Sequence, residues 1–268
     1  MRKHVESLEG AVGLTERRRK EIASLARRKY RERLGQVLVE GVRSVEAAVA
    51  AGAPLVELVV AASAREEARV RALVARAGVP VHVVPDAVAA RLSDVQTSQG
   101  VLAVARAVLV PPATLTTLRR VLVLDGLQDP GNVGTILRTA AWFGVEAVLA
   151  GPGTADFFNP KAVRAAMGGL WDVRLARTGD LPAALAGLRA AGFALYGADL
   201  AGEDARTWQP ATPSALVLGS EAHGLAPAVA AALDARVTVP GHAARRGAES
   251  LNVAVAAGIL LYAWAGPA

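Results

Sequence analysis

Residues 121–140 read VLVLDGLQDPGNVGTILRTA. The first five are an apolar run suited to a buried strand, and a helix opens near Val133. A Gly-containing turn therefore leads from strand into helix. In α/β proteins such a turn usually holds a phosphate or nucleotide, because the unpaired N–H groups of the helix point there. This turn matches neither common cradle: it has no GxGxxG, and no GxxxxGK followed by Ser or Thr. It presents Asn132 and Arg138 instead. Either Asn132 caps the helix and Arg138 is solvated on its surface, or the pair faces a ligand that is not a dinucleotide.

Outward from this stretch the pattern alternates. Strands are expected at 146–150, 171–176, 193–200, 215–220 and 235–240. Helices are expected at 133–143, 160–168, 181–191, 226–233 and 251–264. Near-continuous apolar strands separated by helices imply a parallel sheet covered on both faces. The first half alternates too, with strands at 36–39, 54–62, 79–84 and 99–107 and helices at 42–52, 64–78 and 86–92. Before them, residues 14–34 predict one basic helix with Thr15 as N-cap. Pro111 and Pro112 interrupt the alternation. The expected organisation is a small α/β domain over 1–110, a linker at 111–118, and a larger α/β domain over 119–268.

The chain is 53% hydrophobic and 20% charged, the composition of a folded protein and not of a disordered tail. It contains no cysteine, which excludes disulfides, thiolate metal sites and Cys nucleophiles. MRKHVESLEG has no apolar leader. The longest apolar run, VAVAAGILLYAWAG at 253–266, is shorter than the roughly 20 residues of a membrane span. A cytoplasmic protein without membrane attachment or metal site is expected. Residues 1–35 carry eleven Lys/Arg against five Glu, which is the whole of the formal excess of +6. Charge gathered in one N-terminal segment suits an anionic partner, with nucleic acid phosphates the leading one; a solvated surface helix is the plainer alternative. Arg27, Arg28, Arg31, Arg33 and Arg43 are the candidate phosphate contacts.

Two more loops carry unusual residues. LVLGSEAHGLAP (216–227) follows a strand; Gly219 allows close backbone approach and Ser220 or Glu221 could cap the next turn. His223 is read as exposed in preference to a base. In VPGHAARRGAESLNVAVAAGILL (239–261), Ser250 and Asn252 stand at the mouth of a helix that is apolar on nearly all sides. Such a helix must be buried in a core or between subunits. Each loop alone has an ordinary structural reading.

Together, in order, the three resemble the signature of the SpoU/TrmH class of SPOUT RNA 2′-O-ribose methyltransferases. The matching parts are NVGTILR (132–138), LGSEAHGL (218–225), and Pro240 with ESLNV (249–253). RAAMGGLW (164–171) is similar to a further segment of the class. VLVEGVRSVEAAVAAG (37–52) and QTSQGVLAV (96–104) resemble its L30e-like substrate-binding domain. The resemblance implies a C-terminal α/β-knot domain, with a parallel sheet and a deep trefoil knot, behind an N-terminal L30e-like α/β domain. It implies S-adenosylmethionine as cofactor, lined by Leu218, Gly219, Val239, Pro240, Ser250 and Leu251. It implies a homodimer and an RNA substrate, with ribosomal RNA favoured over transfer RNA. Arg138 is then placed near the ribose hydroxyl, with Asn132, Glu221, Ser250 and Asn252 holding it and the ribose. Ser250 follows Pro240 by more residues than in the class, and Gly241 replaces its usual Met. The inserted residues include His242, Arg245 and Arg246. A non-catalytic RNA-binding protein on the same fold is the rival reading; a nucleotide-dependent Rossmann enzyme is disfavoured by the missing glycine fingerprint.

Overall fold

The computed structural model describes residues 13–95, 98–242, 247 and 249–266. Arg2, Lys3, Glu6 and Glu9 of the basic segment, Gln96 and Thr97, and Arg245 and Arg246 lie outside the described residues. The chain forms two compact units. One comprises residues up to Val108 together with Phe158–Trp171; the other comprises Leu109–Phe157 and the chain from Asp172 onward.

The first unit begins with α1 (Glu16–Ser24) and α2 (Arg28–Leu34), where a single helix over 14–34 was expected. Thr15 does cap α1, accepting from the Arg18 N–H at 3.2 Å. The break at Leu25–Arg27 has a local cause. Ile22 and Leu25 are fully buried, and the Ser24 hydroxyl turns back to the Glu21 carbonyl at 2.6 Å. The Arg31 guanidinium then takes the Leu25 and Ala26 carbonyls at 2.8 and 2.9 Å, so the carbonyls freed by the break are paired. Four strands follow in the order β1 (Gln36–Glu40), β4 (Val101–Arg106), β2 (Leu55–Ala61), β3 (Val81–Val84). β4 runs antiparallel to both β1 and β2, while β2 and β3 are parallel. Helices α3 (Val42–Ala50), α4 (Ala68–Ala77) and α5 (Asp86–Leu92) connect them. The otherwise apolar β2 carries Glu57, which is buried. A buried carboxylate must be paired, and Glu57 receives the Arg18 Nε at 2.7 Å and contacts His82 Nε2 at 3.0 Å.

The second unit is a six-stranded, wholly parallel sheet. Its strands are β5 (Arg120–Asp125), β6 (Ala147–Ala150), β7 (Arg174–Arg177), β8 (Ala194–Asp204), β9 (Ser214–Gly219) and β10 (Ala235–Thr238), arranged 10-8-9-5-6-7. α6 (Pro130–Trp142) follows β5. After β6 the chain contributes α7 (Pro160–Ala166) and the 3-10 turn Gly169–Trp171 to the first unit, then returns as β7. α8 (Leu181–Ala190), α9 (Pro227–Ala230) and α10 (Val253–Ala265) complete the unit. The stretch expected as a linker, 111–118, is mostly a 3-10 helix, Pro112–Thr117. Its Leu115 is fully buried and, with Leu118, joins Val121, Leu149 and Leu195 in the core of this unit.

Two features shape the site. The pairing of β8 with β10 jumps from Arg236↔Gly197 to Val237↔Glu203, so residues 198–202 leave the ladder. And α10 is not buried all round within the chain. Ala254, Ala257, Leu260, Leu261 and Trp264 pack inward, α6 among their neighbours. Val255, Ile259 and Tyr262, at i, i+4 and i+7, remain exposed on the other face.

Candidate functional site

The site is assembled from turns at the carboxyl ends of β5 and β9 and from the approach to α10. At the end of β5, Asp125 is buried and its carboxylate accepts the Ala226 N–H at 2.7 Å, tying the first turn to the second. The buried Thr154 hydroxyl accepts the Gly126 N–H at 3.1 Å and donates to the Leu124 carbonyl at 2.9 Å. Asp129, not Asn132, caps α6: it accepts the Asn132 N–H at 3.1 Å, with Pro130 in the first helical position. The cap reading of Asn132 is thereby corrected, and its side chain is released for other partners.

In the second turn, Ser220 and Gly224 exchange backbone hydrogen bonds at 2.9 and 2.8 Å. This closure leaves no room at Gly219, where a Cβ would lie 2.4 Å from the Gly224 carbonyl carbon. The turn projects Glu221, whose carboxylate accepts from the Asn132 amide. His223 is exposed. The third segment delivers Asn252. Its side-chain oxygen caps α10, accepting from Ala254 and Val255 at 3.0 and 3.3 Å, while its amide donates to Asn132 Oδ1 at 3.3 Å. Asn252, Asn132 and Glu221 thus form one hydrogen-bonded chain. Ser250 stands exposed beside it. Arg138 does not join them. It lies on the exposed face of α6, and among the described residues it has no hydrogen bond or ion pair.

Next to this chain lies a cavity of about 550 Å³. Leu218, Gly219, Val239, Ser250 and Leu251 line it, as do Glu221 and Asn252, and residues 198–200 of the β8 excursion form part of its wall. Pro240 does not line it. It faces a second concavity of about 940 Å³, walled by Trp142, Phe143, Trp208, Ile259 and Tyr262. Val239 borders both concavities, so the chain passes from one to the other between Val239 and Pro240. At that second concavity the Arg206 guanidinium holds the Asp204 carboxyl below its usual range by hydrogen bonding. The volume of the first cavity is in the range of small-molecule sites, about 300–1,000 Å³. Its apolar walls and glycine-lined backbone fit an adenosyl group, and its mouth carries the polar chain.

Of the five arginines expected at phosphates, Arg27, Arg33 and Arg43 are exposed. Arg33 stacks over Tyr30 at 4.7 Å. Arg28 pairs with Glu32 at 2.7 Å. Arg31 is corrected: it is 3% exposed and serves the Leu25 and Ala26 carbonyls, because the helix break turns it inward. Sequence reasoning missed Asp125, Asp129 and Thr154. Asp-Pro before a helix is a recognisable N-cap signal; nothing local marks Thr154.

Residues 119–262 match the SpoU rRNA Methylase family, and residues 17–103 match the MRM3-like substrate binding domain. The chain is 34% identical, over 91% of its length and 94% of the relative's, to the 23S rRNA (guanosine(2553)-2′-O)-methyltransferase RlmP of Bacillus subtilis (strain 168). It superposes with a TM-score of 0.80 on a TrmH-family protein from Porphyromonas gingivalis, at 36% identity over 94% of this chain and 98% of the other. An AdoMet-bound rRNA methyltransferase from Sinorhizobium meliloti also gives a TM-score of 0.80, at 29% identity, with 94% and 96% covered.

Proposed function

The chain belongs to the SpoU rRNA methylase family, and from that membership we propose that it methylates a ribose 2′-hydroxyl of ribosomal RNA. It is an S-adenosylmethionine-dependent RNA 2′-O-methyltransferase. The observation that carries the reading is the Asn252–Asn132–Glu221 chain at the mouth of the cavity. Binding of RNA alone would not need those three residue types joined there.

Leu218, Gly219, Val239, Ser250 and Leu251 would hold the cofactor, largely through backbone groups and apolar contact. When bound, the cofactor supplies an activated methyl group on a good leaving group. The protein must then orient the hydroxyl in line and assist removal of its proton. Asn132, Glu221 and Asn252 fix the ribose. Arg138 stabilises the developing alkoxide as a permanent cation; it is not itself the proton acceptor, since a guanidinium stays protonated.

Arg138 lies off the cavity wall, on the same exposed strip of α6 as Trp142 at i+4. Trp142, Val255, Ile259 and Tyr262 are large exposed apolar residues of α6 and α10. A second copy of the chain is proposed to cover them and to complete the site with its own Arg138. The first unit is proposed to hold RNA, with Arg27, Arg33 and Arg43 among its phosphate contacts. No described helix is long and apolar enough to cross a membrane; with ribosomal RNA as substrate, a cytoplasmic location is part of the proposal.

The test is to incubate purified protein and S-adenosylmethionine with ribosomal RNA from a strain lacking the gene, and to map 2′-O-methyl marks. A single new mark, absent with the Asn132→Ala variant, supports the reading. Marks on transfer RNA alone overturn the substrate, and no mark on either RNA favours the non-catalytic alternative.

A further inference from the structure

We infer that the cofactor cavity selects its ligand by charge, with Glu249 as the residue that sets the selection. It holds cationic S-adenosylmethionine more tightly than the neutral S-adenosylhomocysteine that remains after transfer. This rests on the reading of the cavity as the methyl-donor site.

The ionisable residues on the described wall are Asp199, Glu221 and Glu249; no Lys, Arg or His lines it. The remainder is apolar or neutral. The three carboxylates are differently engaged. Glu221 accepts from Asn132. Asp199 receives Arg236 at 3.1 Å, so its charge is shared. Glu249 is exposed and has no hydrogen bond or ion pair among the described residues. Among the described residues it is therefore the least compensated charge on the wall.

The ligand's charge changes in the reaction. S-adenosylmethionine carries a sulfonium, an ammonium and a carboxylate, for a net charge of about +1 at neutral pH. On transfer the methyl carbon forms a bond to the ribose oxygen. The C–S bond breaks with its electron pair left on sulfur, and the hydroxyl proton passes to water. The cofactor leaves as a thioether with no net charge. A carboxylate several ångströms away, screened partly by protein and partly by water, favours the charged form by about tenfold. The product is thus loosened by the chemistry itself. The same wall offers the α-carboxylate of the ligand no cationic partner among the described residues.

Calorimetry at low ionic strength tests this with S-adenosylmethionine, S-adenosylhomocysteine and decarboxylated S-adenosylmethionine. The wild type is expected to bind S-adenosylmethionine about tenfold more tightly than S-adenosylhomocysteine, and the decarboxylated ligand at least as tightly as S-adenosylmethionine. Glu249→Gln should narrow the first ratio several-fold by weakening the cationic ligand while changing the neutral one little. Raising salt to about 0.5 M should narrow it as well. Glu249 is exposed, so the variant should fold, which circular dichroism verifies. Equal or tighter binding of S-adenosylhomocysteine by the wild type, or an unchanged ratio in Glu249→Gln, overturns the charge selection alone. Failure of all three ligands to bind, with RNA present as well, overturns the cofactor reading and this inference with it.

Discussion

The side-chain amide of Asn132 donates to the carboxylate of Glu221, joining the turn after β5 to the turn after β9 across 89 positions of sequence. The same Asn132 accepts from the Asn252 amide, so polar groups from three separate segments hold one another in place. Each hydrogen bond restrains the side chains that it joins before substrate arrives. Reactions governed by orientation gain most from such fixing.

Asn252 has two roles that a pair of variants separates. Asn252→Ala should lower stability by about 1 kcal/mol in urea unfolding, through loss of the α10 cap. Asn252→Asp retains an acceptor for the cap but loses the amide given to Asn132. Stability should return, while methyl transfer stays down by on the order of 10²-fold.

Arg138→Ala should reduce kcat by about 10²–10³-fold, the usual loss for one donor to a developing oxyanion. Calorimetric affinity for S-adenosylmethionine should be unaltered, because Arg138 is off the cavity wall. Arg138→Lys should recover only part of the rate, since an ammonium lacks the planar donor fork.

Gly219→Ala places a methyl 2.4 Å from the Gly224 carbonyl carbon, a backbone atom that cannot rotate away. The Ser220–Gly224 turn must open. A stability loss of about 1–3 kcal/mol is expected by denaturant unfolding, as for other overpacked sites. Cofactor binding should weaken by more than about tenfold, a loss of at least 1.4 kcal/mol.

Arg31 and Arg27 are four residues apart and should behave oppositely. Arg31→Ala leaves the Leu25 and Ala26 carbonyls without their guanidinium partner and should cost about 1–3 kcal/mol in thermal or urea unfolding. Arg27→Ala should change stability by less than about 0.5 kcal/mol. It should weaken RNA binding and lower the slope of log K against log salt by about 0.7–0.9, the share of one phosphate contact.

Tyr262→Glu places a charge on the exposed apolar face of α6 and α10. Light scattering after size exclusion should register half the mass of the wild type, with cofactor affinity retained and methyl transfer lost. A wild type that already runs as a monomer would remove the second copy from the proposed site.

Much of this was legible in the residues, for identifiable reasons. The second unit is legible because its strands are continuous apolar runs and its turns carry Gly, Asp and Pro. Of the residues that the family resemblance assigns to the cofactor, Leu218, Gly219, Val239, Ser250 and Leu251 share one cavity wall and Pro240 does not. Three things were hidden. The break at Leu25–Arg27 depends on the Arg31 guanidinium reaching back to carbonyls, which helix propensity does not register. The burial of Leu115 depends on a core assembled from distant strands, so prolines around it read as a linker. The exposure of one face of α10 could not be distinguished from full burial, since an all-apolar helix looks the same whether its second face is covered by its own chain or by another.

Residues 158–171 stand between β6 and β7 in sequence yet belong to the first unit, where α7 packs against β1. The halves are therefore not modular in the genetic sense. A chain begun at Leu109 would carry Ala162, Val163 and Ala166 without the neighbours that bury them, and a chain ended at Val108 would lack a piece of its own core. Exchange of the first unit between relatives would need three coordinated crossovers, at the junctions after Val108, Phe157 and Trp171, so recombination should tend to inherit the two units together.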